Sequence, residues 1–310
     1  MSEFVNTVDL LGDDVVTKAI IENTITEFND DSVKLVGSYA FYECSQLASA
    51  NLPIAERVEI YGFFGCSALT SIVLPIATQL MNSSFYGCTQ LTSVDFPNAN
   101  KIESQAFFGC SKLASVNLPL VTSLGTYAFI DCNALTNVYM PKVNSLDMYA
   151  FYNCTALTEI DLPLAATLNK EVFFGCSKLA RVNLPSATML GASLFNGCAS
   201  LEHIDLPSAT SLGASCFSGC SILDVIILRK EAVCTMSNFN AVRSTPFYDV
   251  QGPGGKVLVP RSQVAGYETA TNWSSVWAQN PNNRVLPLED YTIDGTITGD
   301  IDWDKLNGGN

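Results

Sequence analysis

Cysteine returns every 22 residues, at Cys44, Cys66, Cys88, Cys110, Cys132, Cys154, Cys176, Cys198 and Cys220. Phenylalanine stands three residues before each of them, at Phe41, Phe63, Phe85, Phe107, Phe129, Phe151, Phe173, Phe195 and Phe217. Leucine stands three residues after, at Leu47, Leu69, Leu91, Leu113, Leu135, Leu157, Leu179, Leu201 and Leu223. A fixed period of this length predicts a solenoid: one coil is too small to bury its own apolar side, and stacking on its neighbours supplies the core.

The run Phe107-Phe108-Gly109-Cys110-Ser111-Lys112-Leu113-Ala114-Ser115-Val116-Asn117-Leu118-Pro119 displays one unit. After the cysteine and leucine, apolar residues fall two apart: Val94 and Phe96, Val116 and Leu118, Ile160 and Leu162, Ile204 and Leu206. That period predicts a short strand whose alternate side chains point into the core. Proline closes the strand at Pro53, Pro75, Pro97, Pro119, Pro141, Pro163, Pro185 and Pro207, where a missing N–H is tolerated. A second apolar column follows on the return side: Val58, Leu80, Ile102, Leu124, Leu146, Leu168, Leu190 and Leu212.

The pattern Phe-x-x-Cys-x-x-Leu-x-x-Ile/Val-x-Leu-Pro over about residues 32–228 resembles the BspA-type leucine-rich repeats of bacterial surface proteins, some protist surface proteins and phage-encoded proteins. The resemblance implies a β-rich leucine-rich repeat solenoid. Parallel strands would form one face of a curved coil, with extended segments or short turns on the return side. Residues 229–288 are similar to the family's C-terminal end-piece: Pro246-Phe247, a Gly-rich turn at Gly252-Pro253-Gly254-Gly255, Val257-Leu258-Val259-Pro260, Tyr267, and Asn272-Trp273.

Four segments result: a cap at 1–31, nine coils over 32–228, a second cap at 229–288 and an acidic tail at 289–310. In the first, Gly12-Asp13-Asp14 followed by Val15, Val16, Ala19 and Ile20 predicts a short helix capped by aspartate. It covers the open end of the first coil or serves as an attachment handle. Thr24-Ile25-Thr26-Glu27-Phe28 alternates as a strand does. At the other end, Arg229 stands where the next proline is due. Val264, Tyr267 and Trp273 read as one face of a short helix. Tyr291 to Ile301 reads as a strand that pairs with the cap or with another chain, with Asp294-Gly295 as a hairpin signal. Leu306 to Asn310 is expected to fray.

The charge of −14 lies mostly at the ends, with a net −7 in residues 1–31 and −5 in residues 289–310. The near-neutral solenoid is a poor match for nucleic acid, whose affinity comes from neutralised phosphates. Only 15% of residues are charged against 48% hydrophobic, which fits an ordered chain. No run reaches the roughly 18 apolar residues of a membrane helix. The first residues show no basic region followed by an apolar core, so cytoplasmic synthesis is expected, with virion association or surface display left open. Stacked coils about 4.8 Å apart bring cysteines within disulfide range, but pairing along an odd-numbered ladder would distort every second coil. Free, buried thiols are the simpler expectation. Cys216 and Cys234 fall outside the column and receive no role.

Catalysis requires convergent polar groups, and the sequence supplies few. His203 is the single histidine; it has no nucleophile motif around it, and no cluster has metal-ligand spacing. The Gly-rich turn lacks the Lys-Ser/Thr ending of a phosphate loop. The expectation is a non-enzymatic chain with no cofactor and no metal. Recognition would lie on the outward strand positions. In the first four coils, the column five residues after cysteine reads Ser49, Ser71, Ser93 and Ser115; coils five to eight present Asn137, Tyr139, Glu159, Asp161, Arg181, Asn183, His203 and Asp205. One reading is a solvated face, with Glu159 and Arg181 an ordinary cross-strand pair worth about 0.2–1 kcal/mol. The other is a protein or glycan contact centred on Tyr139 and Arg181, residue types favoured at hot spots. An interaction or adhesion module follows from the second. The alternative is a phage or prophage structural or host-attachment protein that forms homo-oligomers through its non-repeat ends.

Overall fold

A computed structural model describes residues 15–16, 25–237, 242 and 254–308. Each coil contributes two short strands, for example Ser115–Asn117 and Ser123–Leu124. Both pair in parallel with their equivalents one repeat away: Ser115 faces Ser93 and Asn137, and Leu124 faces Ile102 and Leu146. The register equals the sequence period, so each column of the repeat becomes a row of touching side chains.

The two faces differ. Return-side strands form one unbroken sheet of eleven, from Val15–Val16 to Thr235–Met236. The three-residue front strands fall into four separate sheets. Their hydrogen-bonded ladder is interrupted three times: between Ser71–Val73 and Ser93–Asp95, between Asn137–Tyr139 and Glu159–Asp161, and between Arg181–Asn183 and His203–Asp205. The return side is thus more continuous than a string of extended segments and turns.

Every coil turns through two residues of positive φ, one five and one immediately before the cysteine. The second is glycine in six coils; at Gly109 (φ 68°) an added Cβ would meet nothing within 4 Å. Backbone conformation rather than space therefore selects glycine there. Glu43, Asp131 and Asn153 adopt the same conformation at the equivalent position.

Within the coils the Phe column forms one stack, with neighbouring ring centroids 4.8–5.6 Å apart from Phe41 to Phe217. All eleven cysteines are buried, and none is in a disulfide. From Cys66 to Cys220 each column thiol donates to the Phe carbonyl of the preceding coil; Cys110 reaches Phe85 O at 3.2 Å. The thiol fills a small apolar site, and its weak S–H donor finds a carbonyl acceptor. Cys110→Ser is expected to destabilise the chain by about 1–2 kcal/mol, because a buried hydroxyl costs more than the shared hydrogen bond returns. A lower urea midpoint at unchanged slope is the readout; an unchanged midpoint contradicts the buried ladder. Cys216, on the position before Phe217, continues the column of Ala106, Ala128 and Ala150, all buried.

The ends depart from expectation. Val15–Val16, expected in a helix, form a strand parallel to Leu35–Val36. The edge of the return sheet offers β-branched residues a ladder that outweighs local helix signals. The remainder of that expected helix lies outside the described residues. Glu27–Asn29 pairs with Ser49–Asn51, and Phe28 sets its ring edge-on against Phe41, at 4.9 Å and 66°.

Beyond Arg229 the front ladder continues with Lys256–Val259 and Arg284–Pro287. Tyr267 and Trp273 occupy two helices, Val264–Thr269 and Trp273–Gln279, not one. Ala270 is extended and Asn272 has φ 69°, which breaks the helical run. The bend turns both rings onto Cys234: its N–H donates to Tyr267 Oη and its carbonyl accepts from Trp273 Nε1, each at 2.7 Å. Cys234 is thus the residue on which the two helices close.

The tail is not an extended strand. Its one β-bridge, Thr292 to Ile301, closes a loop in which Ile293 N donates to Asp300 O at 2.8 Å. Asp294-Gly295 lies in the turn at its start. A short helix Trp303–Leu306 follows, with Asp302 accepting from Lys305 N. Leu306, expected to fray, is buried among Val225, Ile227, Leu258, Leu288 and Ile301. Outward apolar residues on the last coil give the tail a surface to cover.

Candidate functional site

The strands of coils five to eight place the outward residues in rows. Glu159 faces Arg181 and Asp161 faces Asn183 in register. Arg181 donates to Glu159 Oε2 through Nη2 (2.6 Å) and Nε (3.1 Å), with both side chains largely exposed. Such a pair contributes about 0–1 kcal/mol. Asn183 Nδ2 donates to Asp161 Oδ1 at 2.7 Å, as Asn117 does to Asp95 at 2.8 Å. Tyr139 stands between these two amide–carboxylate pairs, 58% exposed.

Six of the eight expected residues share one open hollow of about 540 Å³: Asn137, Tyr139, Glu159, Asp161, Arg181 and Asn183. It straddles the ladder break between coils five and six and reaches down to Val116, Val138 and Ile160. Ser71, Ser93 and Ser115 do not line it.

His203 and Asp205 line a second hollow, of about 390 Å³, together with Arg181, Ile227, Arg229, Asp300 and Trp303. Here the tail lies on the strand face. His203 packs against Trp303 with ring centroids 4.2 Å apart. Arg229 grips Asp205 through Nε and Nη2, at 2.6–3.0 Å, and its Nη1 donates to the carbonyls of Ile297 and Gly299. The Arg229 side chain is 12% exposed. Arg229 and Trp303 are the residues that sequence reasoning missed. Their signals were an arginine at a proline position and the apolar outward pair Val225 and Ile227.

Among the described residues no group of three or more His, Cys, Asp or Glu is placed to hold a metal ion, and no helix is long and apolar enough to cross a membrane.

A family model described as the BspA type leucine rich repeat region matches in six copies, over residues 18–136, 78–198 and 144–248. A leucine rich cell surface protein from Faecalibacterium prausnitzii is similar at 18% identity and a TM-score of 0.46, over 88% of this chain and 94% of that one. A leucine-rich repeat protein from Bacteroides ovatus is similar at 19% identity and a TM-score of 0.36, over 84% and 91%. The T. pallidum leucine rich repeat protein gives 25% identity and a TM-score of 0.38, over 60% and 76%. Comparison with curated proteins returns no match.

Proposed function

The chain belongs to the BspA-type leucine-rich repeat proteins, and from that premise we propose that it is a non-catalytic recognition module whose ligand, a protein or a glycan, occupies the hollow over coils five to seven. One observation carries this reading. A largely exposed tyrosine lies at a break in the front ladder, within a hollow also lined by Asn137, Glu159, Asp161, Arg181 and Asn183. Aromatic and arginine side chains carry a large share of contact energy at interfaces, and a few convergent polar groups fix orientation in a pocket. Glu159 holds the Arg181 guanidinium in place, which lowers the ordering cost of binding.

The test offers panels of immobilised peptides and of oligosaccharides to the chain, then measures each hit against variants. Tyr139→Ala combined with Arg181→Ala is expected to weaken binding at least tenfold, about 1.4 kcal/mol. Ser71→Ala combined with Ser93→Ala is expected to leave it within twofold. Equal losses from both pairs would sink the localised site.

A further inference from the structure

The two hollows share Arg181 and Val182. They make one trough that starts at Tyr139 on coil five and ends at Trp303, whose ring rests on His203 of coil eight. We propose that the seated tail completes the binding site: Trp303 forms its far wall, and the trough takes an extended polypeptide segment of a partner protein. This inference rests on the recognition reading above and adds to it a tail-built subsite and one class of occupant.

Three observations lead there. The tail is fixed in place: Arg229 joins Asp205 on the strand face to two carbonyls of the tail loop, and the loop and helix bury Ile301 and Leu306 against Val225, Ile227 and Leu258. A wall held at both ends by such contacts is available to a ligand without a further ordering cost. The length also fits. Tyr139 and His203 are three rungs apart, about 14 Å at the usual strand spacing, the reach of about four to five residues of extended chain.

The trough's charge is the third. Glu159 with Arg181 and Asp205 with Arg229 are neutralised pairs, while Asp161, which accepts from Asn183, and Asp300 keep their negative charge. Strips that offer donors and acceptors side by side suit a backbone in which N–H and C=O alternate. Tyr139 and Trp303 give two side chains of the segment aromatic surfaces to pack on.

The single histidine lies in this subsite, so one imidazole resonance reports on it. The experiment pans a random heptapeptide library with the full chain, synthesises the peptides recovered, and follows their binding by fluorescence anisotropy and by the His203 signal. The expected result is a shifted His203 resonance, with affinity at least tenfold weaker for Tyr139→Ala and for Trp303→Ala. Trp303→Phe, which preserves an aromatic wall, should recover most of the affinity. Melting curves confirm that the solenoid is intact, and Trp303→Leu substitutes for Trp303→Ala if the latter unseats the tail.

Loss with Tyr139→Ala but none with either apolar Trp303 variant would overturn the tail subsite and leave the recognition reading standing. Indifference to all of these substitutions would overturn both. A library that yields no peptide, whether or not a linear oligosaccharide panel binds, would overturn the polypeptide occupant.

Discussion

Raising the pH toward 10 is expected to unfold the solenoid in a steep transition. Burial pushes the thiols of Cys110, Cys176, Cys220 and Cys234 up to about 12. It raises those of Cys66, Cys88, Cys132, Cys154, Cys198 and Cys216 as well, with neighbouring thiols adding to the effect. In the unfolded chain a thiol ionises near pH 8.5. Between that value and the folded one the unfolded state holds fewer protons, so stability falls as pH rises. The contribution is complete below about pH 8.5 and is lost progressively above it. At pH 10 each of the four thiols held near 12 costs about 2 kcal/mol, about 8 kcal/mol together, against a typical total stability of about 5–15 kcal/mol, and the other raised thiols add to that loss. A circular dichroism midpoint between about pH 9 and 11 is expected, with several protons released together. At neutral pH the folded chain should resist a thiol reagent that modifies all eleven cysteines once urea is added. A chain still folded at pH 11, or thiols that react at pH 7, would show that the column is not sealed.

The same ladder explains what the sequence made legible. Phe107, Cys110 and Leu113 each repeat in a column of their own kind, because a register equal to the period sets every residue against its equivalent. Any residue type that fits the core is then fitting nine times over. The left-handed position five residues before cysteine is hard to read because it holds Tyr39, Tyr61, Ser83, Gln105, Tyr127, Tyr149, Glu171, Ser193 and Ser215 in turn; the backbone repeats there while the side chain is no one type. Val15 and Val16 carry no local sign of their strand, because its partner lies 20 residues away, in Leu35–Val36. The polar row from Asn137 to Asp205 was visible as composition. Its division into an open hollow and a covered one depends on Trp303, a hundred residues beyond His203, and no local pattern carries such a contact.

Phe107→Ala is expected to cost about 3–5 kcal/mol, the usual range for removing a buried aromatic ring. Phe107 is fully buried between Phe85 at 5.4 Å and Phe129 at 5.1 Å, with rings tilted by only 3° and 5°. Nearly parallel rings at these separations are offset, the arrangement their quadrupoles favour. The neighbouring coils cannot close over the gap, because hydrogen bonds fix their spacing: Phe85 N to Ala106 O and Phe107 N to Ala128 O are both 2.8 Å. In a solenoid the loss falls on one interface between neighbours and is not shared by the whole chain. Urea unfolding of Phe107→Ala should therefore separate into two transitions, each with a smaller slope than the single wild-type transition. Phe41→Ala, at the end of the stack, should lower the midpoint while keeping one transition. If Phe107→Ala unfolds in one step at the wild-type midpoint, the Phe column is not what couples the coils.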